Sequence, residues 1–473
     1  MVTNPVPVSD EYLDLAEQIF ARSSGSSISE YNQVNCLFDS EENFPAWQET
    51  LENATESIFI EMYIFSNDSF GTQIRDLLIQ KALNGVHVIL IYDWIGSLKQ
   101  HYIGFFKPLR AAGATVRAYN KLSISSGFDL LSRDHRKLII VDRKVAFVSG
   151  LCISSQWNGN PKKNIPPWRD TGVIMSGPII SQALAAFEGT LIRENLSLPE
   201  RFKHYNDSHL NGHVAARLVA TEPSSANMMR LDLLIISLAR ETLWLTDAYF
   251  MATGIYLNLI KNTALDGVDV RLLVPKTSDI PWIGAVSRTQ YRTLLKAGVR
   301  IFEWNGPMIH AKSCVADGRW ARIGSTNLNI SSWFANREID ITIEDTKIAE
   351  QLQTKFLEDL ENATEIILNT QEQAQLKQAR PRQHNPARAK ASAAARQAVR
   401  LGGFLRGDSR TIGKRENMAL MGLGSFAVVL AILFFFMPKL IAFPLALLFM
   451  VSGLAFVFNA IYQIKKDIKR NKN

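Results

Sequence analysis

The feature that most constrains this chain is a pattern that occurs twice. His135-Arg136-Lys137-Leu138-Ile139-Ile140-Val141-Asp142 and His310-Ala311-Lys312-Ser313-Cys314-Val315-Ala316-Asp317 both read His, any residue, Lys, four residues, Asp. A β-strand sends residues i and i+2 to one face, so on a strand His135 projects with Lys137 and His310 with Lys312. Asp317-Gly318 is a hairpin-turn dipeptide. The return through Trp320 to Ile323 is expected to bring Gly324-Ser325 opposite His310. In the first copy Asp142-Arg143 turns, and Ser149-Gly150 is expected opposite His135. Thr326-Asn327 reads as the start of a helix, whose free N–H groups would suit a phosphate. A nucleophile or acid–base group beside a fixed cation, present in duplicate, is what attack on a phosphodiester requires.

The repetition extends beyond the motif. Ala82-Leu83-Asn84-Gly85-Val86-His87-Val88 matches Ala264-Leu265-Asp266-Gly267-Val268-Asp269-Val270. Leu109 to Gly113 matches Leu294 to Gly298, and the Ile58–Phe65 strand has its counterpart in Leu243–Phe250. The elements keep one order in both halves, with His-x-Lys last. Strands alternating with helical patterns predict an α/β fold whose helices cover a largely parallel or mixed sheet. The expected division is a polar lead-in over 1–27, one repeat over 28–207 and the second over 208–370. A basic linker or interfacial helix over 371–417, two transmembrane helices over 418–463 and a basic tail over 464–473 complete it.

The last three segments follow from composition. Of the formal net charge of +7, much sits between Gln371 and Asn417, where eleven Lys and Arg face only Glu372, Asp408 and Glu416. Met418–Met437 and Leu440–Tyr462 are uncharged runs of about 20 residues each, long enough to cross ~30 Å of hydrocarbon as helices. Lys414 and Arg415 precede them, five Lys and Arg follow, and only Lys439 lies between. The positive-inside rule then places both ends, and the large N-terminal body, in the cytoplasm. The basic linker lies beside an anionic leaflet. Met1 to Ile28 shows no basic region followed by an apolar core, so no secretory signal is expected. Cys36, Cys152 and Cys314 are far apart, odd in number and lack CxxC spacing, which indicates neither a disulfide framework nor a zinc site.

With its doubled His-x-Lys-x4-Asp motif the chain resembles the phospholipase D superfamily. Within it, Trp168-Arg169-Asp170-Thr171-Gly172-Val173 and Asn336-Arg337-Glu338-Ile339-Asp340 make it most similar to bacterial cardiolipin synthase-like phosphatidyltransferases. The resemblance covers roughly residues 30–370 and implies two α/β/α domains about a pseudo-twofold axis, each supplying half of one active site. It implies that one histidine attacks phosphorus to give a phosphohistidine while the other protonates the departing oxygen. His135 is assigned as nucleophile and His310 as acid/base. Lys137 and Lys312 would stabilise charge on the phosphoryl oxygens. Asp170 and Glu338 match the acids that hold the histidine rings in one tautomer. Ser325 and Asn327 match substrate-binding positions, and Asp142 and Asp317 read as structural turn residues.

One position departs from the pattern: Cys152 stands where the motif has Asn, and a thiol donates weakly. Gln156 or Asn158 could substitute, or the pocket could be asymmetric. No metal is expected, because the motif lacks a His/carboxylate cluster and its lysines repel a cation. No cofactor is expected either, since exchange of one diester for another needs no nucleotide and no P-loop is present. The predicted activity is transfer of a phosphatidyl group between phospholipids at the bacterial inner membrane. Its substrate is an anionic phospholipid, phosphatidylglycerol foremost, and no nucleic-acid partner is expected. The alternatives are a phospholipase D that uses water as acceptor, a membrane-tethered nuclease, and a lipid-binding scaffold.

Overall fold

The computed structural model of the protein describes residues 10–121, 132–203, 205, 212–368 and 450. Contacts divide the chain into two units, Met1–Arg406 and Gly407–Asn473, and every described strand lies in the first. In the first repeat the strands are β1 (Ser29–Phe38), β2 (Ser57–Met62), β3 (His87–Asp93), β4 (Thr115–Tyr119), β5 (Lys137–Val141), β6 (Val145–Ser149) and β7 (Thr171–Ser176). In the second they are β8 (Val214–Thr221), β9 (Thr242–Thr246), β10 (Asp269–Pro275), β11 (Arg300–Trp304), β12 (Ser313–Ala316), β13 (Trp320–Gly324), β14 (Glu338–Glu344) and β15 (Ala363–Ile366).

All fifteen form one mixed sheet in the order β15-β11-β10-β9-β12-β13-β14-β8-β1-β7-β6-β5-β2-β3-β4. Apart from β15 at one edge, equivalent strands succeed one another from either side toward an antiparallel β1–β8 pair at the centre. The duplication read in the amino acids is thus a twofold succession in the sheet.

Local chemistry explains the repeated unit. β2 and β3 are parallel, so a helix must carry the chain back across the sheet, and Ser69–Leu83 does so. Asp68 caps that helix by accepting the Gly71 N–H at 2.9 Å, and Gly85 follows its end at φ +86°, where a side chain would be strained. In the second repeat Gly254–Leu265 joins the parallel pair β9 and β10. Strand residues alternate between faces: Phe59 enters one core with Ile89 and Leu138, while Ile58, Ile60 and Met62 enter another. Burial on both faces is why such strands read as near-continuous apolar runs. The first of these cores crosses the seam, since Leu138, Ile140 and Val148 pack in one cluster with Leu218, Ile323, Ile339 and Ile341.

Each motif hairpin turns where its aspartate stands. Asp142-Arg143 and Asp317-Gly318 all have positive φ, +50°, +55°, +49° and +59°, the type I′ geometry that matches strand twist. The Asp142 carboxylate accepts the N–H groups of Thr55, Glu56 and Ser57 at the entry to β2. Asp317 accepts those of Arg240, Glu241 and Thr242 ahead of β9. Burial opposes ionisation of Asp142, but the Ser57, Glu56 and Thr55 N–H groups outweigh it and hold the carboxyl below its usual range. The motif aspartates therefore tie turn to neighbouring strand.

Among the described residues no helix is long and apolar enough to cross a membrane. The runs Met418–Met437 and Leu440–Tyr462 lie outside the described residues except for Met450, and the basic linker lies outside them entirely.

Candidate active site

The two histidines sit immediately before their strands. Lys137 opens β5 and Lys312 directly precedes β12, so His135 and His310 are free of the hairpin ladders. Their backbone N–H groups instead cross to the other repeat, His135 to the Arg337 carbonyl at 2.9 Å and His310 to the Arg169 carbonyl at 2.7 Å. This corrects the expected register. Lys137 and Lys312, not the histidines, fall opposite Ser149 and Gly324, because the hairpins pair Leu138 with Val148 and Ser313 with Ile323. The helix expected at Thr326-Asn327 is also displaced, to a five-residue π-helical turn over Ser331–Ala335.

Same-side projection of His and Lys holds in both copies. The His135 and Tyr63 ring centroids are 4.7 Å apart, and Lys137 Nζ lies 5.1 Å from the same Tyr63 ring. Tyr249 takes that place in the second repeat, 5.7 Å from both the His310 ring and Lys312 Nζ. Each lysine also donates to the carbonyl of its own histidine, Lys312 to that of His310 and Lys137 Nζ to that of His135 at 2.6 Å. Tyr63 and Tyr249 were not singled out in the sequence. The available signal was a tyrosine at the same end of two matched strands.

The carboxylates are exchanged between repeats. His135 Nδ1 lies 2.8 Å from Glu338 Oε2, and His310 Nδ1 lies 2.8 Å from Asp170 Oδ2. Ionised carboxylates only accept, so each Nδ1 carries the proton and each Nε2 the lone pair. The second carboxylate contacts differ. Ser325 Oγ donates to Glu338 at 2.6 Å, whereas Trp157 Nε1 donates to Asp170 at 2.8 Å. A serine could not replace Gly150, the counterpart of Ser325, because its Cβ would collide with Asp170. Ser325 Oγ also accepts the Ile339 N–H at 2.9 Å. Asn327 is buried, and its Oδ1 has no hydrogen-bond partner among the described residues, an acceptor still unused. Cys152 packs in the apolar cluster with Leu151, Ile153 and Trp157, where burial pushes its thiol up. Gln156 and Asn158 are exposed. Trp157 itself, missed in the sequence, supplies the donor on that side.

Buried arginines fasten the exchange. Arg136, between His135 and Lys137, reaches the Glu338 carbonyl at 3.1 Å and Glu222 at 2.8 Å, and Arg337 pairs with the same Glu222. Arg169 pairs with Asp359 at 3.0 Å. Glu222 is partly exposed, but Arg169–Asp359 is buried on both sides, and removing one partner of that pair leaves an uncompensated charge that costs roughly 3–5 kcal/mol.

The electrostatics favour neutral histidines and ionised carboxylates. Burial, then Lys312, pushes His310 down to about 4, despite Asp170. Burial likewise lowers His135, with Glu338 opposing and both lysines assisting. Burial and the approach of Lys137 bring Lys312 down to about 8, against Asp170 and Asp247. Burial would raise Asp170 and Glu338, but His310 and Lys312 on one side and His135 and Lys137 on the other hold both below the usual carboxylate range. Each motif feels the other's lysine. Among the described residues no cluster of three His, Cys, Asp or Glu side chains could hold a metal ion.

Comparison with known proteins agrees with this architecture. A family model described as "Cardiolipin synthase, PLD-like domain" matches residues 48–160 and 233–360. The chain is 31% identical over 370 residues to a cardiolipin synthase of Geobacillus sp. (strain WCH70), covering 76% of this chain and 72% of that one. It is 28% identical over 385 residues to cardiolipin synthase 1 of Bacillus cereus, covering 79% and 75%. The fold is similar to that of phosphatidylserine synthase from Haemophilus influenzae Rd KW20, with a TM-score of 0.55 at 13% identity over 82% of this chain and 99% of that one.

Proposed function

The chain belongs to the family of cardiolipin synthases with a PLD-like domain, and from that premise we propose that it is a phosphatidyltransferase that condenses two phosphatidylglycerol molecules into cardiolipin and glycerol. One observation carries the reading: each histidine is held by a carboxylate of the opposite repeat, so the two motifs serve a single phosphorus. His135 Nε2 attacks the phosphodiester, and the bond to the departing glycerol oxygen breaks as His310 delivers a proton to it. Burial favours neutral His310 in the free site, and the anionic diester brings the opposite charge that favours its protonation. Lys137 and Lys312 take up charge on the non-bridging oxygens, where a low dielectric makes them count most. The phosphohistidine is then attacked by the hydroxyl of a second phosphatidylglycerol, whose proton His310 accepts. Asp170 and Glu338 keep both rings in the required tautomer.

Membrane attachment through Met418–Met437 and Leu440–Tyr462, with both ends and the catalytic repeats in the cytoplasm of a bacterium, completes the proposal; the basic flanks of these runs support that orientation. Asn327 supplies the buried polar group that meets substrate, and residues 28–207 and 208–370 act as the two half-sites. Incubation of the purified full chain with phosphatidylglycerol labelled in its acyl chains tests the reading. Labelled cardiolipin with release of glycerol is the expected result. Phosphatidic acid instead would make water the acceptor, and no lipid product would overturn the assignment.

A further inference from the structure

We propose that the loops at the catalytic end of both repeats form a surface that docks on an anionic phospholipid bilayer, so that substrate reaches the histidines from the membrane; this rests on the lipid substrate proposed above. In the first repeat the segment after β3 is fastened to the site. Asp93 accepts the N–H groups of Ile95 at 2.9 Å and Gly96 at 2.8 Å, and its other oxygen accepts that of Asp134, the neighbour of His135, at 2.9 Å. Ser97 Oγ accepts the Phe65 N–H at 2.9 Å, and Gly96 lies against the carbonyl of Tyr63, whose ring touches His135. From this anchorage the chain presents Ile95, Leu98, Tyr102 and Ile103 to solvent, Tyr102 at 70% exposure.

The second repeat does the same with different residues. The Tyr249 hydroxyl, whose ring touches His310, donates to Asp279 at 2.8 Å. Three residues on, the helix Pro281–Ala297 exposes Trp282 at 61% and Val286 at 40%, spaced i and i+4 on one face. A third rim segment, residues 161–167, exposes Ile165 with Lys162 and Lys163 and leads to Trp168, whose ring lies 5.7 Å from that of His310.

Single exposed apolar side chains are ordinary on a protein surface. Here they recur after β3 and after β10, each time tied to the tyrosine on a catalytic histidine. The charge identifies the partner. From Trp94 to Lys107 the chain carries exposed Lys99 and Lys107 and no Asp or Glu, and Lys121 stands exposed just after β4. Aromatic and aliphatic side chains among lysines suit the headgroup boundary of an anionic leaflet, where Trp and Tyr settle and Lys is attracted.

Two measurements on the full-length protein test this. Reconstituted into phosphatidylglycerol vesicles brominated in the acyl chains, wild-type protein should show Trp quenching that W282F lacks. Absence of that difference overturns docking, whatever the activity. Ile95→Ser, Leu98→Ser and Ile103→Ser combined should lower turnover of vesicle phosphatidylglycerol about tenfold or more. Turnover of monomeric dihexanoyl phosphatidylglycerol should stay within about twofold of wild type. Equal loss on both substrates, or loss on neither, refutes the surface. A dimer that the triple variant dissociates, with no Trp282 quenching, would make the patch a self-interface and refute it too. If wild-type protein turns over neither lipid, the activity assignment fails while the quenching still decides docking.

Discussion

His135 Nδ1 and Glu338 Oε2 lie 2.8 Å apart although 203 residues separate them in the chain. Asp170 and His310 repeat the contact at 2.8 Å in the opposite sense, so neither repeat holds its own histidine. Glu338→Gln keeps the shape of the side chain but offers His135 an amide that can present its N–H, which favours the wrong tautomer. By analogy with loss of the orienting carboxylate in a hydrolase triad, kcat should fall on the order of 10²–10⁴-fold. Asp170→Asn should act similarly through His310. Steady-state kinetics of both singles and the double check the shared site. A double variant close to the worse single is expected, because groups acting as one unit are not additive.

The two histidines should separate in a trapping experiment. His135→Ala removes the proposed nucleophile and should cost on the order of 10⁶-fold in kcat. His310→Ala should be comparably slow, but attack by His135 does not need an acid on its own nitrogen. Phosphatidylglycerol labelled at phosphorus should therefore leave an acid-labile label on the His135 peptide of the His310→Ala protein. Label on His310 of the His135→Ala protein would reverse the roles.

Lys312 makes the alkaline limb of the rate profile specific. Burial and Lys137 bring it down to about 8, so catalysis that needs its charge should decline as pH rises through that value. Its effect on folding runs the other way. Between that value and the lysine's ordinary one the unfolded chain binds more protons than the folded, so stability from this group rises with pH as activity falls. Lys312→Arg keeps the charge well above pH 8. It should move the limb upward while lowering the maximum, because a guanidinium does not reproduce the point charge of an ammonium. A profile of kcat/KM against pH, which reports the free site, beside urea melts at the same pH values distinguishes the two effects.

Much of this was legible because duplication leaves matching local patterns. The hairpins turn at Asp142-Arg143 and at Asp317-Gly318, the second as its dipeptide chemistry requires, and His and Lys project together. The exchange of Asp170 and Glu338 was not legible, since a carboxylate that serves the other repeat has the same local sequence as one that serves its own. The slip that sets the lysines opposite Ser149 and Gly324 arises at the turns, where Val141 pairs with Val145 and Ala316 with Trp320, so that a third residue, Lys144 or Arg319, enters each loop. The two apolar runs lie outside the described residues except for Met450, and their reading as membrane spans rests on hydropathy and flanking charge.

The motif aspartates should prove to be stability residues. Asp317→Ala would strand the N–H groups of Arg240, Glu241 and Thr242, which its carboxylate collects at 2.9, 2.8 and 2.9 Å. These groups lie near the surface, and water can replace part of what is lost. A destabilisation of about 1–3 kcal/mol is expected, with kcat of the folded protein little changed. Cys152→Asn, which restores the motif residue, should also destabilise by about 1–3 kcal/mol. The thiol is fully buried in an apolar cluster beside the Lys137 and Asp170 charges, so the larger amide must be accommodated in a closed space and its polar atoms buried there. Urea denaturation with parallel turnover assays separates the outcomes. A gain in activity for Cys152→Asn would mean that the site can open toward substrate and that its burial is not what holds the first repeat's corner together.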